Sequence, residues 1–226
     1  MTGITEHLNR LNERISRAGV AAKRSPDEIM LLAVSKKHSI SAIRIAAANG
    51  LTDFGENYVV EALEKIENAD FQATWHFIGR IQSNKTRDIA THFDWVQTVD
   101  RLKIARRLSE QRPVGSEPLQ VLIQVQTDPT DQHGGINPQE LPELADAIAE
   151  LPSLCLRGLM CIPAAHTDET AQHKPFRLMK SLFKELQLKH PSADTLSMGM
   201  SNDLEAAIMD GSTMVRIGTA LFGSRS

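Results

Sequence analysis

Leu8, Leu11, Ile15 and Ala18 recur three or four residues apart, which predicts that the chain opens with an amphipathic helix. Beyond it, short apolar segments alternate with stretches of helical periodicity. The short segments are Ile29–Val34, Thr52–Phe54, Thr74–Phe77, Trp95–Thr98, Leu119–Val125, Leu154–Met160, Thr195–Met198 and Thr213–Ile217, which gives eight candidate strands. A run as short and apolar as Ile-Met-Leu-Leu-Ala-Val reads as a strand buried on both faces. The helical stretches carry their own punctuation. Ser39–Asn49 is followed by Gly50 in the position that ends a helix. Asn137-Pro138-Gln139-Glu140 offers an N-cap, a first-turn proline and a capping glutamate. Asn202 and Glu205 repeat that cap spacing ahead of Ala206, Ala207 and Ile208. Arg112–Pro118 merely joins a helix to a strand. Eight strand/helix alternations predict an α/β fold: a single (β/α)8 barrel domain over residues 1–226 with an extra N-terminal helix. A doubly wound open sheet is the alternative, but no Gly-x-Gly-x-x-Gly follows the first strand.

Composition narrows the classes. Apolar residues make up 41% of the chain, enough for a sizeable core. A net charge of -3 gives no reason to expect nucleic acid or an anionic membrane as partner. The basic stretch from Arg101 to Arg112 interleaves Ile104, Ala105 and Leu108 at helical spacing and reads as a solvated helix face. No apolar run approaches the ~18 residues that span a bilayer. The polar start, with Glu6, His7, Asn9 and Arg10, predicts no signal peptide. Cys155 and Cys161 lie in or beside one strand, where six residues extend about 20 Å. A disulfide needs Cα atoms within about 7 Å. A reduced, cytoplasmic protein is expected.

The candidate chemistry begins at Lys36, just past the first strand, on the rim where such barrels place their active groups. An amine half-withdrawn from water there loses part of its ammonium solvation, which favours its nucleophilic form. Alone, it would be read as a solvated lysine closing a strand. In this fold, however, the loops after strands 7 and 8 commonly form a phosphate site. Here they read Met198-Gly199-Met200-Ser201-Asn202, with Ser201 and Asn202 at the expected helix start, and Arg216-Ile217-Gly218-Thr219. Strand 8 closes on strand 1 in a barrel, so amine and anion site become neighbours. An aldehyde-bearing phosphate such as pyridoxal 5′-phosphate answers both.

These residues resemble the pyridoxal phosphate homeostasis proteins, a family related to the N-terminal barrel of alanine racemases. The resemblance rests on Leu32-Ala33-Val34-Ser35-Lys36, Phe54-Gly55-Glu56-Asn57-Tyr58, His76-Phe77-Ile78-Gly79 with Gln82-Ser83-Asn84-Lys85, and Arg157-Gly158-Leu159-Met160. It continues through Met198-Gly199-Met200-Ser201 and Val215-Arg216-Ile217-Gly218-Thr219 with Phe222-Gly223. It implies that Lys36 holds pyridoxal phosphate as an internal aldimine. Ser201, Gly218 and Thr219 would hold the phosphate, and Asn57 and Arg216 would border the ring. It implies no metal and, as partners, apo forms of pyridoxal enzymes. The chain departs from the family at His133-Gly134, where a lysine is often found, and ends at Ser226 without a basic tail.

The resemblance leaves enzyme against carrier to be weighed. An always-cationic Arg216 beside the pyridine nitrogen leaves the ring a poor electron sink, which disfavours transamination. An amino-acid racemase of the alanine racemase type remains as the alternative, yet it needs a second base. The only tyrosine, Tyr58, reads as a packed or rim residue, and His76, between Trp75 and Phe77, as a satisfied core histidine. Lys37 reads as solvent-facing, Lys85 as serving a rim anion or a surface ion pair, and Glu56 as a helix-start acid. A Schiff-base aldolase acting on a sugar phosphate is a third class. The favoured expectation is a monomeric, cytoplasmic, non-enzymatic protein that stores, buffers or delivers pyridoxal phosphate.

Overall fold

The computed structural model describes residues 2–128, 133–164 and 168–223. Its eight strands are β1 Met30–Val34, β2 Asp53–Glu56, β3 Thr74–Phe77, β4 Trp95–Val99, β5 Leu119–Gln124, β6 Leu154–Met160, β7 Thr195–Ser197 and β8 Met214–Ile217. They form a closed barrel in sequence order, with every neighbouring pair parallel. The helices are α1 Thr2–Ala21, α2 Ile40–Ala48, α3 Val59–Glu67, α4 Thr86–His92, α5 Leu102–Gln111, α6 Leu141–Ala149, α7 Glu169–Lys189, α8 Leu204–Met209 and α9 Thr219–Phe222. The fold is therefore a (β/α)8 barrel with one added helix at its start.

The main core is the layer between strands and helices, where Phe54, Phe77, Val96, Val121, Leu159, Val215 and Ile217 meet the helices. Alternation along the strands turns the remaining residues inward. Inside the barrel one apolar group comprises Leu32, Val34, Ile78 and Met214. A second comprises Trp95, Leu122 and Met160. The fully buried His76, Gln97 and Ser197 connect them: His76 stacks on Trp95 at 5.2 Å, and Gln97 Nε2–H approaches Met214 Sδ at 3.1 Å.

Helix α1 buries the stripe Leu8, Leu11, Ile15 and Ala18, chiefly against α8 and α9. Its polar residues grip the same region. Arg14 pairs with Glu205 at 2.7 Å and donates to the Ser201 carbonyl at 3.0 Å, while Arg24, just past the helix, donates to the Ser212 carbonyl at 2.6 Å. Two arginines of the basic stretch serve structure: Arg112, at the C-terminal cap of α5, donates to the Ala90 and Phe93 carbonyls, each at 2.7 Å, and Arg107 within α5 donates to Thr86 Oγ1 at 3.1 Å. Ser39 caps α2, and Glu140 reaches back to the Asn137 N–H at 2.9 Å, as expected.

Two expectations need correction. β2 runs through Gly55 to Glu56, so Glu56 is a buried strand end and not a helix-start acid. Gly55 hid the strand because glycine lacks strand propensity. A Cβ there would sit 3.0 Å from Ile78 Cδ1, close enough that the Ile78 side chain would have to give way. The second correction concerns α8, which begins at Leu204 rather than beside Ser201 and Asn202; those two residues lie in the preceding turn. The cap there is used differently: Asp203 Oδ1 accepts the Met200 N–H at 2.5 Å and holds that turn.

Among the described residues no helix is long and apolar enough to cross a membrane, and no group of His, Cys, Asp or Glu is arranged to hold a metal ion. Neither Cys155 nor Cys161 forms a disulfide.

Candidate functional site at the barrel mouth

The C-terminal ends of the strands surround a cavity of about 490 Å³. Lys36 enters it from the end of β1, Asn57 from the end of β2, Ser201 from the loop after β7, and Arg216, Gly218 and Thr219 from β8 and its exit. All six candidate residues thus lie on one wall system. Ile78, Ile162 and Phe176 supply apolar lining. Tyr58, half exposed, and His76, fully buried, are not among the lining residues.

Lys36 owes its direction to strand phase: Leu32 and Val34 point inward, and Lys36 is the next residue of that set. The peptide around it is anchored by a buried cluster for which only hindsight supplies a sequence signal. Glu56 Oε1 accepts from Ser35 Oγ–H at 2.6 Å and from Lys65 Nζ at 2.7 Å. Lys65, 6% exposed, also donates to the Ser35 carbonyl at 2.8 Å and to Glu61 at 2.6 Å. Glu61 in turn accepts the backbone N–H of Lys37, whose φ of 63° lies in the left-handed region. A non-glycine residue there is strained, so it needs such a hold. Burial pushes the Glu56 carboxyl above its usual value, although its bonds to Lys65 and Ser35 pull the other way. The available signal was positional: Val59, Ala62 and Lys65 fall on one stripe of α3, and Glu61 precedes Lys65 by four residues. Lys85, by contrast, lies 3.9 Å from Asp88 on the surface and outside the cavity lining.

Asn57 is placed by a glycine. A Cβ on Gly79 would lie 2.1 Å from the Asn57 carbonyl oxygen, so the β3 exit and the β2 exit touch backbone to backbone. Gly79→Ala is expected to push Asn57 out of position and destabilise the protein by at least the roughly 1–3 kcal/mol of an overpacked core. Chemical denaturation measures this; an unchanged midpoint would mean that the Asn57 segment yields freely. Asn57 Oδ1 is itself buried and has no hydrogen-bond partner among the described residues.

Opposite Lys36, β8 pairs with β1 in the register Leu32 to Arg216 and Ala33 to Ile217. The close approach continues past the strands, where a Cβ on Gly218 would meet the Val34 carbonyl oxygen at 3.2 Å. A side chain there would require the two strand exits to shift apart by a few tenths of an ångström. Arg216 is 4% exposed and donates through Nη1 to Ser197 Oγ at 2.8 Å and through Nη2 to the Cys161 carbonyl at 2.7 Å. Burial lowers its proton affinity, with the fields of Cys161 and Asp203 opposing. Asp203, across the same cavity, is raised by burial, and the Met200 N–H and Arg216 oppose that rise. The wall therefore combines an amine, a guanidinium, an unpartnered amide oxygen, a hydroxyl-bearing turn and a glycine–threonine strand exit.

His133, the point of departure from the family pattern, offers its backbone carbonyl to Gln124 Nε2–H at 3.0 Å.

Residues 7–226 match the alanine racemase N-terminal domain. The chain is 54% identical over 226 residues to a pyridoxal phosphate homeostasis protein of Pseudomonas aeruginosa, covering 100% of this chain and 97% of that one. It is 51% identical to the protein of the same name from Escherichia coli, covering 100% and 98%. Among solved structures it is similar to PipY of Synechococcus elongatus with pyridoxal phosphate bound. That match has a TM-score of 0.82 at 35% identity and covers 97% of this chain and 100% of that one. Alanine racemase of Clostridium difficile shares the fold at a TM-score of 0.72 and 18% identity, with this chain covering 56% of it.

Proposed function

The chain belongs to the pyridoxal phosphate homeostasis protein family, built on the alanine racemase N-terminal domain, and from that premise we propose that its barrel mouth holds pyridoxal 5′-phosphate for storage, buffering or delivery in the cytoplasm. The observation that carries this reading is the convergence of Lys36, Asn57, Ser201, Arg216, Gly218 and Thr219 on one cavity. The residues fit the cofactor on a further ground: the buried Asn57 Oδ1 has a hydrogen-bond vacancy that a polar ligand group can fill.

When bound, the cofactor supplies an aldehyde that an amine can capture and a ring that can withdraw electrons. Lys36 is the amine. Ser201 and Thr219 donate hydroxyl bonds to the phosphate, and Gly218 lets the backbone come close. Arg216 has only donors and keeps its charge, so it provides no carboxylate to hold a proton at the ring nitrogen. Neither Tyr58 nor His76 reaches the cavity wall as a second base. Those roles support the carrier reading over the racemase.

Adding pyridoxal phosphate to the purified protein should give a visible absorbance band and one borohydride-trapped lysine. A colourless protein would sink the reading and favour the aldolase class. Ser201→Ala and Thr219→Ala should each weaken retention roughly ten- to a hundredfold, since each removes a charge-assisted bond worth about 1.5–3 kcal/mol. Wild-type retention in both single variants and in the double variant would put the phosphate elsewhere. The loaded protein should show no α-proton exchange of L-alanine in deuterated water above the rate with free cofactor. It should activate an apo pyridoxal enzyme while a scavenger removes free cofactor. Sedimentation is expected to give a monomer.

A further inference from the structure

Arg216 is a buried cation, and among the described residues its hydrogen-bond partners are a hydroxyl and a carbonyl, with no carboxylate. A buried charge needs compensation. The field of Asp203 reaches it across the cavity, and a continuous hydrogen-bonded route leads from it through the barrel interior to a second carboxylate. Arg216 Nη1–H donates to Ser197 Oγ at 2.8 Å, and Ser197 Oγ–H donates to Gln97 Oε1 at 2.7 Å. Gln97 Nε2–H donates to His76 Nδ1 at 3.0 Å, and His76 Nε2–H donates to Asp53 Oδ1 at 2.9 Å. Thr52 Oγ1–H closes the far end on Asp53 Oδ2 at 2.7 Å. Asp53 is the first residue of β2, at the opposite mouth of the barrel from the cavity.

Every donor in this route points from Arg216 toward Asp53. The direction is forced by the groups themselves. Asp53 as carboxylate only accepts, so His76 Nε2 must carry hydrogen; Ser197 already accepts from Arg216, so its own hydrogen goes to Gln97 oxygen. The Gln97 amide nitrogen then faces His76 Nδ1, which must be the bare nitrogen. His76 is 0% exposed, and burial lowers its proton affinity even though Asp53 opposes this, consistent with a neutral ring. Bonds aligned in one sense polarise one another.

We propose that Asp53, His76 and Gln97 are positioning residues for Arg216: a one-way hydrogen-bond relay through the barrel that fixes which guanidinium N–H groups face the cavity. A guanidinium has five N–H groups. Two are engaged inward, on Ser197 and Cys161. Only the ligand-binding part of this proposal rests on the cofactor reading above.

The test has a ligand-free arm and a binding arm. Nitrogen-15 NMR of the ligand-free protein should find His76 as the Nε2–H tautomer and a slowly exchanging Arg216 Nη1–H. In Ser197→Ala and Asp53→Asn, the Arg216 signal should exchange at least tenfold faster, and in Asp53→Asn the tautomer should mix. Pyridoxal phosphate should bind three- to tenfold more weakly to both variants, and Ser197→Thr should restore wild-type values. Should Asp53→Asn fail to fold, the Ser197→Ala and Ser197→Thr pair decides alone. Wild-type Arg216 exchange in Ser197→Ala, or a Ser197→Thr variant as impaired as Ser197→Ala, would overturn the relay. Should the wild-type protein not bind pyridoxal phosphate at all, the cofactor reading fails and the ligand-free arm still decides the relay.

Discussion

Lys36→Ala is expected to remove the visible band given by pyridoxal phosphate and to drop borohydride labelling to background. Of the lysines near the barrel mouth, Lys36 is the one that lines the cavity. Lys37 leaves the strand in a left-handed conformation and is exposed; Lys65 is engaged by Glu56, Glu61 and the Ser35 carbonyl; Lys85 lies by Asp88. The phosphate and ring contacts survive the substitution, so weak binding should persist while retention through dialysis falls at least ~10-fold, about 1.4 kcal/mol. Peptide mass mapping of the reduced wild-type protein checks the assignment. A label on any other lysine, or a band that survives in Lys36→Ala, would refute it.

Lys65→Ala should be the most destabilising single substitution near the site. It removes one partner of a buried ion pair whose carboxylate, Glu56, is fully buried and whose second oxygen already has no hydrogen-bond partner among the described residues. Breaking such a pair typically costs about 3–5 kcal/mol, or roughly 6–20 °C in Tm for a chain of this size. The loss should depend on pH in a definite sense. Burial already raises Glu56 in the folded protein, and Lys65 is the main group pulling it down, so the variant raises it further. A carboxyl raised on folding contributes stability that is complete below its unfolded value and lost as pH climbs through its folded value. The deficit should therefore be smaller near pH 5 than near pH 8, and adding Glu56→Gln should recover part of it. A pH-independent loss, or no gain from Glu56→Gln, would mean that packing and not charge sets the cost.

The order of all eight strands was legible because each is a short apolar run between helical stretches, and that period survives any detail of packing. Where boundaries slipped, the cause was local: Gly55 masked the end of β2, and the Asn202–Glu205 cap spacing belonged to a turn held by Asp203. That Lys36, Ser201, Gly218 and Thr219 would share one cavity could be read because loop position in a barrel is set by topology. The Lys65–Glu56 pair and the route from Asp53 to Arg216 were not readable in the same way. Gln97 and Ser197 look like ordinary polar residues within strands, and their partners lie as far as 100 residues apart. Only closure of the sheet brings them together, and no local pattern encodes closure.

The grip of α1 on α8 and α9 has a consequence for how this protein is made. Helix α1 carries the stripe Leu8, Leu11, Ile15 and Ala18, and its main partners, α8 and α9, come far later in the chain. Until those two helices have been synthesised the stripe lacks its principal cover, which makes the nascent chain a candidate client for chaperones that bind exposed apolar helices. Barrel closure, which sets β8 against β1, waits for the same late segment.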